Sequence, residues 1–225
     1  MEEVINFLSE LYDNNNRDWF NANKDRYLTV NKICNQVGEQ LIDGISKFDN
    51  TIQGLSIKDC TYKIYRDIRF SPNKIPYKTH IGIYICRGGK KSNFAGYYFH
   101  IEPKGSNFLS NSLLCSGLYL PTPAALKSVR EEIDCNGKEF VKNINLAKDF
   151  SFDSSNRLKK IPKGFEETSE YSDFIKQKDF MVFKSIDNNF LLKKNLVENI
   201  IENFKQTYMF INQLNRAVEF ANENF

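Results

Sequence analysis

Histidine is scarce in this chain: His80 and His100 are the only two. A catalytic metal would therefore have to take mostly carboxylate ligands, and no acidic cluster has the spacing of a known site, so no metal is expected. Cysteine is equally uninformative as a ligand. The five cysteines (Cys34, Cys60, Cys86, Cys115 and Cys135) are odd in number, scattered and without a C-x-x-C pair. That pattern argues against a disulfide framework or a zinc site and fits a reducing cytoplasm. No apolar run approaches the ~20 residues of a bilayer span, and MEEVINFLSELYDNNN lacks the basic and apolar regions of an export signal, so no membrane role is expected. A G-x-S-x-G elbow, a Walker loop, a dinucleotide fingerprint and a Cys-His signature are all missing, which leaves no sequence basis for a cofactor. The glycines of GGKKSN (88–93) read as a hairpin turn rather than a phosphate loop.

Excess charge is also missing, except in one place. Against 31 Lys and Arg stand 28 Asp and Glu, a formal charge of +3. The segment YRDIRFSPNKIPYKTH (65–80) holds Arg66, Arg69, Lys74 and Lys78 against Asp67 alone, and outside it the two signs balance. The net positive charge is therefore local, and no general affinity for nucleic acid or membrane follows from the totals.

What is abundant is core material. In 225 residues, 41% are hydrophobic and 14% aromatic, enough for one large domain, and no repeat or linker divides residues 1–225. Val4, Ile5, Phe7, Leu8, Leu11 and Tyr12 recur at helical spacing over 2–13, and after the DNNN break the same period runs from Asn16 for about thirty residues. Lys24 falls on that stripe where an apolar residue is due, so it is expected to lean toward the body of the protein; the alternative is that it snorkels to water. Residues 61–68, 81–87 and 94–102 have strand composition, with GGKKSN joining the last two. A further strand is expected within 106–120, and MVFKSI (181–186) is expected at an edge or beside the first strand. Thr122-Pro123 opens a helix that should end near Asn136-Gly137, followed by a short one carrying Phe140, Val141 and Ile144. Residues 157–171 read as a loop into a helix, and Leu196 to Ala221 as one long amphipathic helix. The fold class is α+β: one domain, an antiparallel meander sheet packed against long N- and C-terminal helices.

If 61–68 is a strand, Arg66 shares a face with Tyr62 and Ile64 while Asp67 falls on the other. Pro72 and Pro76 stiffen the loop beyond it, so that Arg69, Lys74 and Lys78 are presented rigidly, as suits an anion. The alternative is that the arginines pair with acids of neighbouring helices and the lysines form a solvated loop. Tyr65, Phe70 and Tyr77 interleave with these cations and can stack on bases, which keeps a nucleic-acid partner open. On the strand at 94–102, Tyr98, His100 and Glu102 share one face, where His100 can act as a general base with Glu102 orienting it, or the two can be a hydrogen-bonded surface pair.

The chain resembles the conserved proteins grouped as domain of unknown function family 2461. The likeness begins in FLSELYDNNNRDWFNANKDRY (7–27) and is strongest in YRDIRFSPNKIPYKTH. It continues through GYYFHIEP (96–103), GLYLP (117–121), the helix around Leu126 to Arg130 and PKGF (162–165). The sequence departs at Pro72-Asn73, where the family more usually has Lys-Asp or a similar pair; an acid is lost there and the loop becomes more basic. The resemblance puts Asn14, Asn15, Arg17, Trp19, Lys24, Arg66, Asp67, Arg69, Lys74, Tyr77, Lys78 and His100 at motif positions and transfers no catalytic role. The expected function is binding of a small anionic, phosphorylated ligand in a hollow between the sheet and the first long helix. Arg66, Arg69, Lys74, Lys78, Tyr77 and Lys24 are the expected ligand-binding residues. The alternatives are a module docking on an acidic protein or nucleic-acid surface, and a hydrolase or transferase with His100 as base.

Overall fold

The computed structural model of the chain describes residues 1–224. Helix α1 (Glu2–Asp13) buries Val4, Phe7, Leu8 and Leu11 as one stripe. The Asn16 side chain accepts from Trp19 N at 2.9 Å and caps α2 (Arg17–Ala22). The expected single helix from Asn16 is in fact two, because Asn23 leaves helical geometry and its amide donates to Trp19 O before α3 (Lys24–Ile45) begins. Restarting the helix turns Lys24 outward, so the expectation that it leans inward is corrected. Arg26 takes the inner position instead, donating to Glu3 at 3.0 Å and to both Glu10 oxygens at 2.7 and 3.0 Å.

After a short α4 (Ile57–Cys60), residues 61–68 are not a strand, again contrary to the sequence reading. They make only isolated bridges, Thr61 to Ile83 and Tyr65 to Tyr77. Pro72 and Pro76 turn the chain back so that it bonds to itself, Arg66 N to Pro76 O at 2.9 Å and Lys78 N to Ile64 O at 2.8 Å. The side-chain alternation that separated Arg66 from Asp67 on two strand faces therefore does not apply.

The sheet is open and antiparallel, built from β1 (Ile81–Cys86), β2 (Gly96–Ile101), β3 (Leu113–Leu118), β4 (Ser151–Phe152) and β5 (Phe180–Ser185) in the order β1-β2-β3-β5-β4. The first three strands form the expected meander. The late strand β5 is neither at the edge nor beside β1: it pairs with β3, and the two-residue β4 closes that side. Helix α5 (Pro123–Leu146) starts where Thr122 Oγ1 accepts from Ala125 N, and it breaks at Asn136 (φ −124°, ψ 33°) without ending. Residues 157–171 carry no helix; the short α6 (Ser172–Ile175) and α7 (Asn188–Leu191) follow. The long C-terminal helix is two elements, α8 (Leu196–Gln206) and α9 (Tyr208–Asn224). They divide at Thr207, whose hydroxyl hydrogen-bonds to Phe204 O and to Ser116 Oγ of β3.

Strand alternation gives the sheet two unlike faces. Ile83, Phe99 and Leu114 form one cross-strand row, and Ile85, Tyr97, Ser116 and Val182 the next, all buried. Helices α8 and α9 pack on that face at β3, with α3 against α8 and α5 against α9. One hydrophobic core runs from Val4 to Val218, and the architecture is α+β. None of the helices is long and apolar enough to cross a membrane among the described residues.

Candidate functional site

The opposite face of the sheet carries three rows: Gly82, His100, Leu113 and Ser185; Tyr84, Tyr98, Cys115 and Phe183; Cys86, Gly96, Gly117 and Met181. Tyr84, Tyr98, Leu113, Cys115 and Met181 are only half-buried, since loops rather than helices border this side. The turn after β1, the loop through Phe108 and Leu109, and residues 119–121 border on it an open hollow of about 710 Å³. Its size and largely apolar lining are those of a small-molecule site. Two glycines shape the floor. Gly117 holds a left-handed φ of 144° beside Phe180 O, where a side chain would collide with backbone, and Gly82 leaves room for the Tyr98 hydroxyl that lies over it.

At the β1–β2 end of this face a chain of hydrogen bonds begins at a buried carboxylate. Glu102 accepts from the Ser106 hydroxyl, from Phe108 N at 3.0 Å, from Leu109 N at 2.7 Å and from His100 Nε2 at 2.9 Å. Burial works to raise the Glu102 pKa, but these hydrogen bonds together outweigh it and hold the carboxyl below its ordinary value. Burial lowers the pKa of His100, with Glu102 opposing, so the ring is neutral at pH 7. Its Nδ1 lies 2.9 Å from the Tyr98 hydroxyl. His80 stands beside this chain, its ring centroid 5.0 Å from that of His100 and stacked on Phe108 at 4.2 Å; burial pushes its pKa down to about 4. The surface-pair alternative for His100 and Glu102 does not describe this site, because both side chains are fully buried.

Of the six expected ligand-binding residues, Lys78 reaches this region. It lines a small pocket of about 40 Å³ between α3 and the β1 edge, together with His80, Tyr62 and Tyr98. Its ammonium lies 5.5 Å from the Tyr62 ring centroid, and it has no carboxylate or hydrogen-bond partner among the described residues. Burial lowers its pKa. Lys90 approaches the same ring at 5.9 Å and donates to Lys58 O. Tyr62 and Tyr98 line both the small pocket and the large cavity.

The other five lie elsewhere. Arg69 pairs with Asp67 at 2.6 Å on the surface, Lys74 donates to Ile68 O at 2.9 Å, and Arg66 donates to Ile75 O at 3.0 Å. Tyr77 is buried, stacked on Phe20 at 3.9 Å, and its backbone is pinned at N–H and C=O by the Asn15 amide. Lys24 is exposed at the start of α3. Backbone carbonyls and one neighbouring acid thus take up most of the charge of the basic segment.

Tyr62, Lys90, Phe108 and Cys115 line the site without having been singled out by sequence. Cys115 was discoverable from the period-two alternation of LLCSGL once β3 was placed, whereas Tyr62 and Lys90 reach the cavity through loops with no periodic signal. Among the described residues no group of three or more His, Cys, Asp or Glu side chains is placed to hold a metal ion. Neither a curated protein nor a solved structure shows a significant match to the chain. The family model of the conserved hypothetical proteins DUF2461 does match, over residues 3–212, and the chain belongs to that family.

Proposed function

We propose that this protein binds a small organic anion whose apolar body lies on the open sheet face and whose charged group meets Lys78. The observation that carries this reading is the Lys78 ammonium: partly desolvated, over the Tyr62 ring, and in a small pocket whose Tyr62 and Tyr98 also line the large apolar cavity. A partly desolvated cation without a counter-charge carries a cost, and an incoming carboxylate or phosphate reduces that cost while gaining a charge-assisted hydrogen bond. Lys90, on the same tyrosine, adds a second positive group at the rim. The five free cysteines support a reducing, cytoplasmic setting.

A fluorimetric melting screen with medium-chain fatty acids, aryl carboxylates and aryl phosphates tests this, with inorganic phosphate as the reference. A ligand at 100 times its Kd adds about 2.7 kcal/mol of stability, a clear rise in Tm. Amphipathic anions should outperform inorganic phosphate, Lys78→Met should remove the preference for anions, and Cys115→Trp should fill the cavity and remove the shift altogether. A panel without any shift, or a shift indifferent to both substitutions, overturns the proposal.

A second reading, docking of loop 65–78 on an acidic surface, has one observation in its favour: Phe70 is 95% exposed beside Arg69. Binding of polyglutamate or of a fluorescent oligonucleotide that weakens steeply with salt and is lost in Phe70→Ser supports it. Absence of binding to both at low salt removes it.

A further inference from the structure

Beyond binding, the geometry points to chemistry at the cavity: we propose that Tyr98 is a proton-transfer residue whose phenol oxygen takes a proton from the bound ligand while its own proton passes to His100 Nδ1, with Glu102 holding the imidazolium. This rests on the reading of the sheet-face cavity as a ligand site.

The direction of each hydrogen bond follows from the charges. An ionised Glu102 can only accept, so His100 Nε2 carries the hydrogen between them. A neutral imidazole then has a bare Nδ1, and the Tyr98 hydroxyl is the donor in the 2.9 Å contact. That leaves the lone pairs of the phenol oxygen for a ligand. Tyr98 lines both hollows, and its hydroxyl end packs over Gly82, where the missing side chain leaves it room.

Loop anchoring accounts for only part of this arrangement. Glu102 fastens the loop through Ser106, Phe108 N and Leu109 N, whereas the His100–Tyr98 link runs the other way, along β2 to the cavity. The groups facing His100 are Glu102, Tyr98, His80 and Phe108, with Lys78 beyond His80. Among these, Glu102 is the group that stabilises an imidazolium by accepting from it.

In the proposed step an acidic C–H or O–H bond of the ligand breaks, a new O–H bond forms at Tyr98, and the original phenol proton moves to His100 Nδ1. The ligand, already an anion at the group that meets Lys78, gains one further negative charge, and His100 becomes a cation hydrogen-bonded to Glu102. Return of the proton to a different ligand atom completes an isomerisation without any other reactant. Tyr98 would be the catalytic residue; His100 and Glu102 act through it as positioning residues.

An aryl sulfonyl fluoride reads this activation without a known substrate. Sulfonylation forms a phenol O–S bond and breaks S–F, fluoride leaves, and the phenol proton goes to His100. Peptide mapping should show Tyr98 modified at least about tenfold faster than Tyr65 and Tyr119, which are 53% and 63% exposed, since a positioned base contributes a hundredfold or more. His100→Asn keeps a hydrogen-bonding atom near the Nδ1 position without its basicity, and should bring Tyr98 down to the rate of the other two; it also gives up the Nε2–Glu102 hydrogen bond, so a lower melting temperature is expected and labelling is compared well below it. Should that variant fail to fold, 15N correlation of the wild-type histidines decides: His100 must be the Nε2–H tautomer at pH 7. Equal labelling of the three tyrosines, an unchanged rate in His100→Asn, or an Nδ1–H tautomer overturns the proposal. Failure here with a Tm shift that Cys115→Trp abolishes leaves the binding reading standing, and a reactive Tyr98 with no binding in the anion screen removes the binding reading alone.

Discussion

At the residue scale, one buried carboxylate organises a whole side of the site. Removing the Glu102 acceptor strands two backbone N–H groups, a hydroxyl and His100, so Glu102→Ala should destabilise the chain by about 3 kcal/mol in urea unfolding. Glu102→Gln, which keeps one acceptor oxygen, should lose less; equal losses would mean that the charge and not the hydrogen bonding matters. His80 makes stability pH-dependent in a defined window. Its folded pKa, about 4, lies below the ordinary 6.5, so between these values the unfolded chain binds the proton that the folded chain refuses. Stability attributable to His80 is complete above pH 6.5 and is lost as pH falls toward 4. The loss is up to about 3 kcal/mol, less to the extent that solvent reaches the ring. His80→Phe preserves the stack on Phe108 and should flatten the profile of unfolding free energy across that window; an identical slope in wild type and variant would show that other groups cause it. Glu102, with its lowered pKa, acts further down: its contribution is present above the ordinary glutamate value and disappears as pH drops through the folded one.

At the scale of elements, local signals fixed where helices begin more firmly than where they stop. Thr122 with Pro123 marked the start of α5 in the sequence, and the structure has the Thr122 hydroxyl accepting from Ala125 N there. Thr122→Ala should cost about 1 kcal/mol in unfolding free energy, and Thr122→Ser close to nothing. The end expected at Asn136-Gly137 is instead a kink through which the helix continues. Gly137 is retained for space: an added methyl would overlap the Tyr171 ring. Gly137→Ala gains about 1 kcal/mol in helix propensity yet should be net destabilising, since the ring must shift out of a packed position. A Tm above wild type for that variant would show that Tyr171 relocates freely. Residues 61–68 illustrate the converse failure. Their β-branched and aromatic composition suits a strand, but the two prolines that follow turn the chain back on itself, and self-pairing from Arg66 to Pro76 replaces a place in the sheet. Asn23 and Thr207 each divided a helix that periodicity alone reads as continuous, because side-chain hydrogen bonding at a single residue does not disturb the apolar stripe on either side.

At the scale of the whole molecule, the cysteines report on how the chain is closed. Cys34, Cys60 and Cys86 are buried, Cys115 faces the cavity, and Cys135 alone is exposed among the described residues. Burial pushes the thiols of Cys34, Cys60 and Cys115 up to about 12. A thiol-reactive dye should therefore find one fast group in the native protein, Cys135, and five after unfolding; a second fast group in the native state would mean that the cavity floor opens. The sequence by itself determined the α+β class, the meander of the first three strands and the local source of net charge, because alternation, helical spacing and composition are properties of neighbouring residues. It also placed Tyr98, His100 and Glu102 on one face, since a strand has a strict period of two. What only the tertiary structure decided was which charges meet and which do not. Arg69 found Asp67, Arg66 and Lys74 found carbonyl oxygens, and Lys78 was left facing the ring of Tyr62, which also lines a cavity floored by residues from four strands. Charge–charge and charge–dipole energies depend on separation and on burial, and even for residues as near in sequence as Asp67 and Arg69 both are set only once the backbone between and around them has taken its fold.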